Sequence, residues 1–297
     1  MAKDILTRSD DSEIFEYDYP YFPIYAQKER MSDYRRFRCL PHWHEDLEFH
    51  LLLEGSFTCE VNGEVMEITE GNGIWINARQ LHSNYTDEGR ECVFLCLLLH
   101  PSLLSATDAI ALEYVSGHLN HPGITFGLLS RDVPWQKNVL DQILKIYELR
   151  STGRSPLRIQ GIFLDMWATI TENTALPDFS DHKDSEKLDA LKKMLRHIHN
   201  HYPEHLTLEE IAQSGNVGKS TCTEIFKAHL HDTPVNYLIQ FRLEKAAELL
   251  QSTALPITEI AYNTGFSNPS YFASTFRSYY HCSPKSFRSK ERTTKNR

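Results

Sequence analysis

The sequence predicts a two-domain chain of mixed class: an N-terminal antiparallel β-barrel with a helical hairpin, then a C-terminal all-α unit of two helix-turn-helix motifs. Three observations predict it. Between about residues 38 and 99, short apolar stretches alternate with glycine-containing turns; after Pro134 the apolar period lengthens from two residues to about 3.6; from Leu208 onward a block of about fifty residues occurs twice. At 297 residues the chain also exceeds the usual span of one core. Together these place a barrel over residues 1–132, a helical pair over 133–172, a linker over 173–186, the paired motifs over 187–290 and a basic tail over 291–297.

The barrel strands are read from LEFHLLLEG, SFTCEVNGEVMEITEGNG, IWINARQLHSNY and ECVFLCLLL. Asn62-Gly63, set between Cys59-Glu60-Val61 and Val65-Met66-Glu67-Ile68, marks a hairpin, because both residues tolerate the positive φ of a type I′ turn. In the helical pair, Val139, Ile143, Ile146 and Tyr147 share one face, and Ile159, Ile162, Phe163, Met166, Trp167 and Ile170 share another. Such helices either cover the barrel or pair with a second subunit, and the pattern leaves both open. The segment from Glu172 to Ser185 is polar, contains Pro177 and lacks periodicity, as a linker does.

The repeat is the most specific signal. Leu208-Glu209-Glu210-Ile211-Ala212 recurs as Ile257-Thr258-Glu259-Ile260-Ala261, and His231-Asp232-Thr233-Pro234 corresponds to His281-Cys282-Ser283-Pro284. Thr207 and Glu210 form a capping box that starts the first helix. In the second unit Gly265-Phe266 makes the turn, Asn268 caps the next helix and Pro269 takes its first position. Between the units, Val235 to Gln251 reads as a long amphipathic connector, able to set two recognition helices into successive major grooves ~34 Å apart.

Composition bounds the rest. Hydrophobic residues at 41% and charged residues at 24% belong to a globular chain rather than a disordered or fibrous one. The N-terminus lacks an apolar h-region and the run Cys92 to Leu99 is too short to span a bilayer, so a cytoplasmic location without membrane contact is expected. Six cysteines without a C-x-x-C pair argue for reduced, buried thiols. The net charge of −9 hides an asymmetry: residues 186–297 hold 15 Lys and Arg against 11 Asp and Glu, net +4, which leaves −13 for the rest. From Lys285 onward six basic residues face Glu291 alone, a composition suited to phosphate contact or to a solubilising tail.

The block from Leu188 to Arg288 resembles the arabinose-regulator (AraC/XylS) family, above all in IAYNTGFSNPSYFASTFRSYYHCSPKSFR. Two departures stand out: the family's turn glycine is His231 in one unit and His281 in the other, and Gly218 stands where a Ser cap is usual. Histidine enters the left-handed region more readily than most residues, so the fold is expected to tolerate the first change. The candidate base readers are Lys219, Ser220, Thr223 and Glu224 in the first recognition helix and Asn268, Ser270, Ala273 and Ser274 in the second. Lys219 and Glu224 suit guanine and cytosine edges respectively, while Lys227 and Arg277 suit phosphates.

Toward the N-terminus, His42, His44 and Glu48 with His82 downstream resemble the cupin pattern H-x-H-x(3)-E…H. The even offsets put the first three on one side if they share a regular strand, and three imidazoles with a carboxylate suit a divalent transition metal. The same stretch in the cupin sensors of the AraC family frames a small-molecule pocket, so the ligand-pocket set is His42, His44, Glu48, Trp75 and His82, with Trp43 and Tyr85 as further aromatic wall. No cofactor is required by the pocket reading, and the metal reading places a divalent transition metal in the barrel. His50 reads as structural or exposed. The resemblance implies a non-enzymatic, effector-responsive regulator of promoter DNA, and with it activation through RNA polymerase and a sugar or related effector; a homodimer is left open. The competing reading is a cupin metalloenzyme with a DNA-binding appendage, against which the repeat and the basic C-terminus weigh.

Overall fold

The computed structural model describes residues 6–7, 13–19, 22–87, 89–105, 107, 110, 114–150, 155–176, 182–230 and 232–294. It divides into two compact units, 1–185 and 186–297. Among the described residues no helix is long and apolar enough to cross a membrane.

The first unit is built on ten strands: β1 (Leu6–Thr7), β2 (Glu13–Ile14), β3 (Ile24–Arg30), β4 (Leu47–Glu54), β5 (Ser56–Val61), β6 (Glu64–Thr69), β7 (Gly73–Ile76), β8 (His82–Tyr85), β9 (Val93–Leu99) and β10 (Phe126–Leu129). They form two larger antiparallel sheets, ordered β10-β7-β4-β9-β3 and β6-β5-β8, with β1 and β2 as a separate ribbon. The sheets pack face to face without closing into one ring, so the expected barrel is an open, cupin-like one. As expected, Asn62 and Gly63 both take positive φ, 51° and 93°, and the turn they make sets Val61 opposite Glu64.

β9 explains the central layer. Leu95, Leu97 and Leu99 face one core and Phe94, Cys96 and Leu98 the other, so the strand is buried on both sides and reads as an unbroken apolar run. The first core is completed by α2 (Pro134–Arg150) and α3 (Pro156–Asn173), which follow the short α1 (Ser116–Leu119). Val139, Ile143 and Ile146 of α2 and Ile159, Phe163, Met166 and Ile170 of α3 all sit in that core, so the pair covers the five-stranded sheet. The other face of the same sheet looks into the space between the sheets. β3 was not expected from the sequence; Ile24 and Ala26 alternate into the core while Gln27 and Glu29 on the same strand are polar.

The second unit holds α4 (His182–His201), α5 (Leu208–Ser214), α6 (Lys219–Leu230), α7 (Pro234–Ser252), α8 (Ile257–Asn263), α9 (Pro269–Tyr280) and α10 (Pro284–Thr294). Two expected boundaries move: α4 begins inside the segment read as linker, and α10 carries helix through Thr294, into the segment read as tail. The capping box is present, with the Glu210 N–H donating to Thr207 Oγ1 at 3.2 Å and the Thr207 N–H to Glu210 Oε2 at 2.7 Å. Each motif turns through a left-handed residue, Asn216 at φ 55° and Gly265 at φ 84°. At Gly265 a Cβ would lie 2.3 Å from the Tyr202 carbonyl oxygen, so only glycine fits there. His281 adopts φ 54°, the left-handed cap expected in place of glycine, whereas His231 lies outside the described residues.

Candidate nucleic-acid interface and sensor cavity

The two recognition helices α6 and α9 repeat one another at a spacing of fifty residues. Cys222, Ile225 and Phe226 bury one face of α6, and Phe272 and Phe276 bury the same face of α9. At 100° per residue the opposite face is then centred on Ser220, Glu224 and Lys227 in α6 and on Ser270, Ser274 and Arg277 in α9. All six are exposed. Thr223 and Ala273 flank these faces, half-buried.

Two expected readers are engaged within the protein. Lys219 Nζ pairs with Glu209 Oε2 at 2.6 Å, an exposed, solvent-screened contact that releases easily. Asn268 Oδ1 accepts the N–H groups of Ser270 at 2.8 Å and Tyr271 at 3.3 Å; its side chain starts the helix rather than reaching outward. Sequence reasoning passed over Tyr271, which is 51% exposed on the outer half of α9. Its helical position, one residue before buried Phe272, is the signal that marks it as outward.

In the first unit, His42, His44, Glu48 and His82 do come together: one ligand atom from each lies within 4.8 Å of the others, and all four are buried. They do not share a strand. β4 begins at Leu47, so Glu48 alone projects from it; His42 and His44 lie on the approach, where His42 bridges to His82 on β8. Nδ1 of each histidine faces a backbone carbonyl, His42 that of Leu40 at 2.8 Å, His44 that of Asp46 at 3.1 Å and His82 that of Gln80 at 2.9 Å. These bonds put the ring proton on Nδ1 and leave Nε2 as the inward donor atom. His82 Nε2 lies 2.6 Å from Glu48 Oε2 and His44 Nε2 3.4 Å from it, so both imidazoles pair with one carboxylate oxygen.

Charge is concentrated here. Burial alone would raise the Glu48 carboxyl, but the His50 and His82 imidazoles and the bonds from His44 and His50 hold it well below the usual carboxylate range. Burial would lower His44, but its bond to Glu48 and that carboxylate's charge outweigh it and pull the imidazole up to about 9. Burial and neighbouring His82 push His42 well down.

Beside this cluster opens a cavity of about 210 Å³ whose wall includes Glu13, Phe15, Tyr25, Glu29, Tyr34, His42, Glu48, His50 and Cys96. Glu29 accepts from the Tyr25 hydroxyl at 2.6 Å and from the Tyr34 hydroxyl. Trp75, expected in this wall, is not there. It pairs with Phe49 across β7 and β4, and both side chains pass to the helix-covered face, where Trp75 meets Trp167 at 6.5 Å. Trp43 and Tyr85 do not line the cavity either; Tyr85 instead lies beneath the Arg38 guanidinium, 4.5 Å from its ring centre. His50, read from sequence as structural or exposed, is 1% exposed in the cavity wall, and its Nε2 lies 2.7 Å from Glu48 Oε1. Its even offset from Glu48 on one strand was the available signal.

Comparison with known proteins adds the following. The family model of the AraC-like ligand binding domain matches residues 31–210, and that of a helix-turn-helix domain matches residues 211–290. The chain is 32% identical over 249 residues to the uncharacterized HTH-type transcriptional regulator YdeC of Bacillus subtilis (strain 168), covering 83% of this chain and 85% of that protein. It is 24% identical over 277 residues to the melibiose operon regulatory protein of Escherichia coli (strain K12), covering 89% of each. Among solved structures, a transcriptional regulator with an AraC-type DNA-binding domain from Chromobacterium violaceum is 28% identical with a TM-score of 0.33, covering 34% of this chain and 91% of that one.

Proposed function

This chain belongs to the AraC family of transcription regulators, with a ligand-binding domain before a DNA-binding helix-turn-helix unit, and from that premise we propose that an effector in the cavity controls promoter binding. The observation that carries the reading is the presence of a cavity walled by carboxylates, phenols and imidazoles in one unit and of two matched, exposed recognition faces in the other. The effector is a sugar or similarly hydroxylated metabolite: the melibiose regulator's name points that way, and among the described residues the wall offers carboxylates, phenols and imidazoles but no Lys or Arg to hold an anion. The protein acts in the cytoplasm as an activator that engages RNA polymerase, and the cavity binds without turnover. A homodimer forms through α3, whose outer face exposes Leu157 and Leu164 seven residues apart.

On DNA, α6 sets the sequence preference. Glu224 is long enough to accept from a cytosine amino group, Lys219 is free to leave Glu209 for a guanine, and the serines of α9 are short. Binding-site selection with the full chain tests this. Glu224→Ala or Lys219→Ala should cost ~1–3 kcal/mol and relax one position of the motif, Lys227→Ala should weaken all sequences nearly alike, and Ser274→Ala should do least. A motif rewritten by Ser270→Ala or Ser274→Ala and untouched at α6 assigns preference to the wrong helix.

His42, His44, Glu48 and His82 hold a divalent transition metal. Buried imidazole Nε2 atoms and a carboxylate oxygen that converge, each imidazole oriented through Nδ1, are the donor set such an ion needs. Bound there, the metal supplies a Lewis-acid anchor for an effector oxygen. Elemental analysis of gently purified protein should find stoichiometric metal, absent from His44→Ala, while DNA binding by residues 186–297 is untouched. An effector response that survives in metal-free protein removes the metal from the reading.

A further inference from the structure

We propose that Glu48, His50 and Cys96 form a second metal position, for a thiophilic divalent ion of the zinc or cobalt class, bridged to the histidine cluster through Glu48. It rests on the metal reading of that cluster only through the shared carboxylate.

The strand register brings the donors together. His50 on β4 stands directly opposite Cys96 on β9, and Glu48 lies two residues earlier on the same side of β4. Their ligand atoms all lie within 4.8 Å of one another and all three residues are buried. Each oxygen of the carboxylate serves a different set. Oε1 meets His50 Nε2 at 2.7 Å and Cys96 Sγ at 3.4 Å, while Oε2 faces His82 Nε2 at 2.6 Å and His44 Nε2 at 3.4 Å. That is the arrangement of a bridging carboxylate.

The distances suit an ion. Tetrahedral zinc with bonds of ~2.0 Å to N or O and ~2.3 Å to S separates its donors by roughly 3.3–3.5 Å. The oxygen–sulfur pair already has that spacing, and the oxygen–nitrogen pair needs to open by only a fraction of an ångström, within reach of a side-chain rotation. The imidazole is held edge-on to the Phe57 and Phe94 rings, with centroids at 5.5 and 5.2 Å, and its Nδ1 is buried without a hydrogen-bond partner. Because Glu48, His50 and Cys96 all line the cavity, the fourth position of a tetrahedral ion opens into it, where an effector oxygen or nitrogen can bind.

The competing assignment makes His50 and Cys96 hydrogen-bonding supports that orient Glu48 toward one metal. Cobalt(II) separates the two. Full-length protein stripped with a chelator and titrated with Co²⁺ should take up two ions per chain and develop a near-ultraviolet thiolate-to-cobalt charge-transfer band. Cys96→Ser should lose the band and one ion; His44→Ala should lose one ion and keep the band. His50→Gln, the variant to use if Cys96→Ser does not fold, should weaken the band-forming site about tenfold or more. Uptake of one ion without the band overturns the second position and leaves the histidine site standing, uptake of none overturns both, and a band that persists in Cys96→Ser moves the thiolate to another cysteine and overturns the assignment.

Discussion

Raising the salt from 50 to 200 mM should weaken promoter binding by about 10³-fold. The size follows from counterion release. With about six phosphates neutralised, affinity falls as roughly the 5.4th power of salt, and a fourfold change in salt then costs ~10³. The second unit has the cations for this: Lys219, Lys227, Arg277 and Lys285 are exposed, and the unit carries net +4 while the whole chain is −9. Arg288 contributes less, since its guanidinium donates to the Leu255 carbonyl at 2.7 Å. The measurement is a gel-shift or anisotropy titration of the full chain and of residues 186–297 at several salt concentrations. Both should show a steep slope, because the phosphate-contacting cations lie in the second unit. A slope near zero would mean that the exposed cations do not meet the DNA backbone.

Phe276→Ala should destabilise the second unit by about 3–5 kcal/mol, enough to abolish DNA binding at ordinary temperatures. Phe276 is fully buried, with the rings of Phe272, Tyr280 and Phe287 at 5.5, 4.5 and 5.4 Å. Removing it leaves a cavity between α9, α7 and α10, where Leu243, Ala246, Ala247 and Leu250 are already close-packed and cannot collapse inward. Phe276→Leu keeps most of the volume and should cost under about 1.5 kcal/mol while binding survives. Denaturant unfolding of both variants reads the difference. A loss below 1 kcal/mol for the alanine variant would show that this core relaxes freely.

The second unit was the more legible half. Its capping box, its left-handed His281 and its glycine turn are local backbone rules, and each places a residue type where only a few types fit. Tyr271 escaped because it is an aromatic turned outward, whereas Asn268, read both as a cap and as a base reader, has its side chain spent on the cap.

In the first unit the four metal-type residues were legible as a motif, but not their geometry. His42 and His44 precede β4, so the parity argument that grouped them with Glu48 applied instead to His50. By itself the sequence determined the paired helix-turn-helix unit, the hairpin at Asn62-Gly63, the strand at VFLCLLL and the grouping of His42, His44, Glu48 and His82. Only the tertiary structure decided that Trp75 faces the helices, that His50 and Cys96 stand opposite each other beside Glu48, and that the sheets stay open. Period and parity are properties of one strand and say which residues share a side; which side looks into the cavity depends on the strands paired with it, far away in the chain.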